Sequence, residues 1–189
     1  MTEIEKYIKP YFGGTVEELK LIDSFFKLVA LEKGSFFQKE GRYADKLGFV
    51  KTGILREYTS VNNKEVTKWI ATKSSFVVDI SSFIFRQPAK WSLQAITDCE
   101  LYVLEQADYR KIKEAIPDWE DLESKFIAKC FNILEDRVMM HLSMSAEERY
   151  LHFFNANKEL FNQVPLQYIA SMLGMTPETL SRLRNRTGV

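Results

Sequence analysis

Residues 166–186, LQYIASMLGMTPETLSRLRNR, read as two short helices joined by a tight turn. Such a turn needs a small residue where the helices approach, a glycine where the backbone enters the left-handed region, and apolar residues at the interhelical contacts. Ala170 supplies the first, Gly174 the second, and Ile169, Leu173, Met175, Leu180 and Leu183 the third. Thr176 is placed as an N-cap and Pro177 at the first helical position, so the second helix starts sharply. At about 100° per residue, Leu180 and Leu183 of that helix fall together with Thr179 beside them. Glu178, Ser181, Arg182, Asn185 and Arg186 occupy the opposite arc. Arg grips guanine bidentately, Glu accepts from cytosine, and Ser or Asn serves bases or phosphates. The pattern predicts a helix-turn-helix that presents this arc, opened by Thr176, to a major groove. The plain alternative is a helical hairpin with a polar outer face.

Upstream, Ser145 and Glu148 have capping-box spacing, which predicts a helix running through Leu151, Phe154 and Leu160 to Phe161, with Asn155 and Asn157 weakening it midway. From Pro117 to Ser143 a long helix is expected. Trp119, Leu122, Phe126, Cys130, Ile133, Arg137 and Met140 step along it by threes and fours, and Phe131, Leu134 and Val138 form a second stripe. One stripe would cover the chain's own core and the other a partner helix; a single broad core face is the alternative. Trp119, Leu122, Phe126, Cys130, Ile133 and Met140 are taken as the dimer helix.

The period changes again before residue 116. From Gly34 to about Leu104, short β-branched and aromatic runs (35–37, 47–50, 54–58, 66–70, 92–96 and 100–104) alternate with turn residues such as Glu40-Gly41, Thr52-Gly53 and Asn62-Asn63. This spacing predicts an all-β barrel or jelly roll. Residues 3–31 alternate at helical spacing, with Leu19, Ile22, Phe25, Phe26 and Val29 on one side, as one or two short helices around Gly13-Gly14 require. The chain is therefore expected to be α+β in three parts. These are a β-roll sensor domain over 1–116, a central dimerisation helix over 117–143, and a helical or reduced winged helix-turn-helix domain over 144–189.

Composition narrows the function. The 189 residues hold 46% apolar and 13% aromatic side chains, enough to bury a core throughout. Twenty-six basic residues balance 26 acidic ones, which disfavours a non-specific DNA coater but not a site-specific reader. Arg182, Arg184 and Arg186 concentrate basic charge locally. The N-terminal stretch MTEIEKYIKPYF lacks a basic-then-apolar leader, and no run of roughly 18 apolar residues occurs, so a cytoplasmic protein without membrane association is expected. Cys99 and Cys130 stand far apart with no second ligand beside them, and structural burial is expected of both.

Taken together, Lys33-Gly34, Glu40-Gly41, the run 49–56 (FVKTGILR), Pro117-Asp118 and above all the run 176–184 (TPETLSRLR) resemble the Crp/Fnr family of bacterial regulators over roughly residues 15–187. The resemblance implies a cyclic-nucleotide-binding-type β-roll, a dimerising central helix and a winged helix that together regulate transcription. It implies double-stranded DNA and a second copy of the chain as partners, with RNA polymerase as a third. Carried over by position, Glu178 and Arg182 match the family's base-reading glutamate and arginine, and Gln167 a phosphate-contacting position. Pro177 replaces a further base-reading arginine. The chain ends soon after this helix, so the wing is expected to be shortened or absent.

The effector pocket departs from the family's cyclic-AMP binders, in which a short helix begins Gly-Glu and an Arg-Ser pair cradles the cyclic phosphate. Here Val78-Asp79 and Ala89-Lys90 stand at those places, with Arg86 and Trp91 nearby. A phosphate needs close amides and a bidentate, charge-assisted partner, and valine with alanine supplies neither. The expected effector is therefore not cyclic AMP, or the roll acts without one, and no cofactor is identified. An iron-sulfur cluster needs four cysteines. Haem needs an axial ligand on the roll, but His141 and His152 lie beyond it. A cupin-type enzyme needs clustered metal ligands on strands. No metal site, catalytic residue or enzymatic activity is expected. A second hypothesis is a small-molecule-binding or protein-interaction module whose helix-turn-helix does not bind DNA.

Overall fold

The computed structural model describes residues 1–187. They form two compact units: residues 1–57 with 71–131, and residues 58–70 with those from 132 onward.

In the first unit, Thr2 and Thr15 open α1 (Glu3–Phe12) and α2 (Val16–Asp23), each through a reciprocal capping box with Glu5 or Glu18. Eight strands follow: β1 (Lys27–Leu31), β2 (Phe36–Gln38), β3 (Lys46–Thr52), β4 (Leu55–Val61), β5 (Lys64–Ala71), β6 (Phe76–Val77), β7 (Ser92–Ala95) and β8 (Cys99–Glu105). They make two four-stranded sheets, β1-β8-β3-β6 and β2-β7-β4-β5, of a β-roll. In the first sheet β8 pairs antiparallel with β1 and β3, setting Leu47 opposite Leu104 and Phe49 opposite Tyr102. The helix α3 (Ile80–Phe85) interrupts the strands, and α4 (Gln106–Ala115) and α5 (Trp119–Ser143) close the series. The fold class is the α+β one that the patterning predicts.

Two local expectations are corrected. Val29 was expected on a helix but lies in β1, paired with Leu101. Leu28 and Val29 remain exposed on this strand at the sheet edge, and its mixed pattern imitates an amphipathic helix. Helix α4 was not expected at all. Glu105 makes no side-chain cap bond there, so the start carries no sequence signature; burial of Tyr109 and Ile112 holds it instead.

The core of this unit is aromatic. Phe12 stacks on Phe126 at 4.8 Å, Phe126 meets Phe76 edge-on at 4.8 Å, and Trp119 packs 5.6 Å from Phe12. The N-terminal helices and the first half of α5 are thereby fastened over Phe49 and Leu104 of the sheet.

The second unit contains the outer part of the β4–β5 hairpin, the rest of α5, and the helices α6 (Ala146–Ala156), α7 (Leu160–Gln163), α8 (Leu166–Met172) and α9 (Pro177–Thr187). Asn62 and Asn63, both at positive φ, make the two-residue hairpin turn. The Ser145 capping box forms with Glu148. The helix it opens does not run on to Phe161: Asn157 ends it, its amide bonded to Phe154 O at 3.2 Å. Tyr150, Phe154 and Phe161 then cluster with ring centroids 5.1–6.0 Å apart.

Candidate nucleic-acid interface

Helix α8 ends on a left-handed glycine. The Met175 amide donates to Ala170 O at 3.0 Å and the Gly174 amide to Ser171 O at 3.1 Å, with Gly174 at φ +66°. This reciprocal pair satisfies two of the carbonyls that a helix terminus leaves open. Thr176 caps α9, its hydroxyl accepting from the Thr179 amide at 3.2 Å. Ile169, Ala170, Leu173, Leu180 and Leu183 are buried. The turn therefore has the build that its residue types predict.

The opposite arc of α9 is exposed. Glu178, Ser181, Arg182, Asn185 and Arg186 line an open concavity together with Pro177, and Thr176 and Gln167 are exposed too. The backbone amide of Glu178 itself, then the Thr176 hydroxyl, hold the Glu178 carboxyl below the usual carboxylate range. A carboxylate at a helix N-terminus also gains from the macrodipole. Arg186 reaches Glu147 at 3.5 Å, an exposed ion pair of the kind that contributes little. Residues 188 and 189, on which a wing would bear, lie outside the described residues.

Sequence reasoning missed two arginines. Arg137 donates through Nη2 to Met172 O at 3.2 Å, and Arg149 through Nε to Leu173 O at 2.9 Å and through Nη1 to Met144 O at 2.6 Å. The Arg137 guanidinium lies 5.0 Å from the ring centre of Trp69, and the buried Thr67 amide donates to Ser171 Oγ at 2.9 Å. His141 fills the space beside Gly174; burial, reinforced by Arg137 and Arg149, pushes its pKa down. The signal available in the sequence was a charged residue at an otherwise apolar step of the long helix, Arg137.

The residues at the expected effector site do not form an open cradle. Asp79 is buried, and its carboxylate caps α3 by accepting from the Ser82 amide at 3.0 Å and from the Lys90 amide at 2.7 Å. Arg86 is turned onto Ala44 O at 2.9 Å and lies over the Tyr43 ring. Ala89 is buried and bonds through both its backbone groups to residues 41 and 42. Val78 packs against the core, Trp91 is half-buried and Lys90 is exposed.

The six dimer-helix residues also separate. Trp119, Leu122 and Phe126 are buried in the core of their own unit, and Cys130 packs against it. This corrects the assignment of Trp119, Leu122 and Phe126 to a partner-facing seam, because a side chain fully buried in its own core has no surface left for a second helix. Ile133 and Met140 are half-buried. The exposed apolar row is the other stripe, Phe131, Leu134 and Val138, extended by Ile127 and Leu142.

Cys99 and Cys130 are free, and burial raises both thiols, Cys130 to about 11. Among the described residues no helix is long and apolar enough to cross a membrane, and no three His, Cys, Asp or Glu side chains converge as a metal ion would require.

Residues 28–115 match the cyclic nucleotide-binding domain family. Comparison with curated protein sequences gives no match. Among solved structures, the Thermus thermophilus catabolite activator protein is similar at TM-score 0.60 and 22% identity, over 95% of this chain and 88% of that one. FixK2 from Bradyrhizobium japonicum is similar at TM-score 0.71 and 16% identity, over 86% of this chain and 84% of that one. A chain from Eubacterium rectale assigned to the crp/fnr family of transcriptional regulators is similar at TM-score 0.71 and 17% identity, over 97% of this chain and 88% of that one. The first of these is named an activator and the last a transcriptional regulator. Residues 28–115 are thus a cyclic nucleotide-binding-type domain, and the chain as a whole has the fold of the Crp/Fnr transcriptional regulators.

Proposed function

We propose that the chain is a sequence-specific DNA-binding transcription regulator of Crp/Fnr type, acting in the cytoplasm as a homodimer whose β-roll is not gated by cyclic AMP. The observation that carries this reading is the division of α9. Leu180 and Leu183 are buried, while Glu178, Ser181, Arg182, Asn185 and Arg186 stand exposed along one open face. A recognition helix needs this combination of a fixed inner face and an outer face of base- and phosphate-seeking groups. Gln167 at the start of α8 and Thr176 at the start of α9 are assigned to the same interface. A second copy supplies the second half-site reader. RNA polymerase is the proposed third partner, as the resemblance to the Crp/Fnr regulators implies.

The test is selection of duplexes from a random pool by the full chain, followed by competition. Arg182→Ala is expected to weaken the selected duplex by about 1–3 kcal/mol and to relax one base position, as loss of a bidentate guanine contact does. Gln167→Ala should weaken binding evenly across sequences. No salt-sensitive DNA affinity at all would favour the second hypothesis, a ligand-binding or protein-interaction module.

For the roll, the argument is electrostatic. The Ser82 and Lys90 amides already serve the Asp79 carboxylate. A cyclic phosphate brought there would meet a like charge, lose its hydration, and find Ala89 where a guanidinium is needed. Calorimetric titration of the full chain with cyclic AMP and cyclic GMP is expected to show no micromolar binding. Such binding would restore a nucleotide sensor and overturn this part of the proposal.

A further inference from the structure

Two carbonyls at the end of α8, Met172 and Leu173, fall outside the reciprocal bonds made by Gly174 and Met175. Their partners come from other helices, Arg137 of α5 and Arg149 of α6. The end of α8 is therefore finished by two guanidinium groups, the charge that a helix C-terminus favours, with His141 as a second neighbour of the Met172 backbone. We propose that Arg137 and Arg149 are positioning residues for the reading helix, setting the direction of α9 by holding the turn, and that Trp69 on β5 fixes the fork of Arg137. This inference rests on the reading of α9 as a DNA-recognition helix.

Three features support orientation over simple capping. The grip falls on Met172 and Leu173, immediately before the glycine at which the chain changes direction, and α9 begins three residues after Gly174. An 11-residue helix is about 16 Å long, so a tilt of about 10° at the turn displaces its far end by about 3 Å. Hydrogen bonds to base edges tolerate a few tenths of an ångström, so such a tilt disengages them. Second, Arg137 is itself held: its guanidinium lies over the Trp69 ring, a contact that immobilises a planar cation better than an ammonium. Third, the same short turn is tied independently by the Thr67 amide to Ser171 Oγ, two residues from Trp69 on the same strand. The outer β4–β5 hairpin and the end of α8 thus meet through two contacts of different chemistry. His141 of α5 stands at the same turn: it faces the Arg137 and Arg149 guanidinium groups and also meets the Met172 backbone.

The experiment compares the full-length wild type with Arg137→Gln, Arg137→Lys, Trp69→Leu and Arg182→Ala. Probes are the duplex that the wild type selects from a random pool and a scrambled duplex of the same length, each titrated across a salt series. Removing the Arg137 grip should lower the ratio of selected to scrambled affinity about 10- to 100-fold, the range for loss of a charge-assisted hydrogen bond. The salt slope should stay at the wild-type value, because no phosphate contact is removed. Arg137→Lys should recover part of the ratio, and Trp69→Leu, which keeps the arginine, should lose part of it. Amide exchange at Gly174 and Met175 should quicken in Arg137→Gln, a readout that needs no DNA. An unchanged ratio with unchanged exchange overturns the proposal. So does an equal loss on both duplexes with a shallower salt slope, which would make Arg137 a phosphate contact. If Arg137→Gln does not fold, the proposal stands or falls on Trp69→Leu, judged by the same ratio. Failure of the wild type and Arg182→Ala to differ on any duplex would remove the DNA reading itself, while the exchange measurement still reports on the grip.

Discussion

Gly53→Ala is expected to destabilise the first unit by about 3–5 kcal/mol, with left-handed backbone strain contributing about 1–2 and overpacking most of the rest. Gly53 joins β3 to β4 at φ +87°. A Cβ there would lie 2.4 Å from Asp98 O, 2.6 Å from Cys99 Sγ and 2.8 Å from Cys99 Cα. These are mostly backbone atoms of a neighbouring turn, so no flexible side chain can move aside. Yielding would disturb the Ile54 amide bond to Thr97 Oγ1 at 3.0 Å and the Ile96 amide bond to Ile54 O at 2.8 Å, which knit the two turns together. Thermal melting should fall by roughly 10 °C for a chain of this size. Gly34→Ala is the control: its φ is +84°, yet nothing lies within 4 Å of a Cβ there. It should cost only the backbone part, about 1–2 kcal/mol. Equal losses in the two variants would show that the close approach at Gly53 contributes nothing.

Leu134→Glu combined with Val138→Glu is expected to produce monomers and to abolish tight binding to a two-half-site operator. Phe131, Leu134, Val138 and Leu142 are 57%, 50%, 45% and 76% exposed on α5 and recur every three or four residues. A row of apolar side chains at that spacing gains by pairing with its own copy across a two-fold axis. Two substitutions per protomer remove four apolar side chains from the seam and place four carboxylates there, so the dimer should weaken by at least about 4 kcal/mol, roughly a thousandfold. Sedimentation at micromolar concentration reads the assembly, and operator affinity reads its consequence. The same change at Ile133 and Met140 should act first on the chain's own packing, since both are half-buried. A Leu134→Glu, Val138→Glu protein that stays dimeric would place the seam elsewhere.

The elements whose signals are local were legible in advance. Gly174, Thr176 and Pro177 each act within one or two residues of themselves, through backbone conformation or a cap, so the turn and the start of α9 could be read directly. The same holds for the Ser145 capping box and for most strands of the roll. Where no local signal exists the reading failed: β1 imitates a helix at a sheet edge, and α4 starts without a cap.

The candidate sites divide in the same way. Periodicity sorted the long helix into two stripes, because side-chain direction repeats with the helical turn. It carried no information on which stripe the chain itself would cover. That depended on Phe12 and Phe76, distant in sequence, closing over Phe126 and leaving Phe131, Leu134 and Val138 outside. Likewise the resemblance read from the sequence raised the expectation that Val78 and Ala89 deprive a cyclic phosphate of its supports. Only the tertiary structure turned the Asp79 carboxylate onto the amides of Ser82 and Lys90. The outer arc of α9 was set by the sequence, since it follows from the helical repeat within 11 residues. The grip of Arg137 and Arg149 on the α8 carbonyls was decided in three dimensions, because a hydrogen bond between residues 24 or 35 positions apart exists only once the intervening helices have packed.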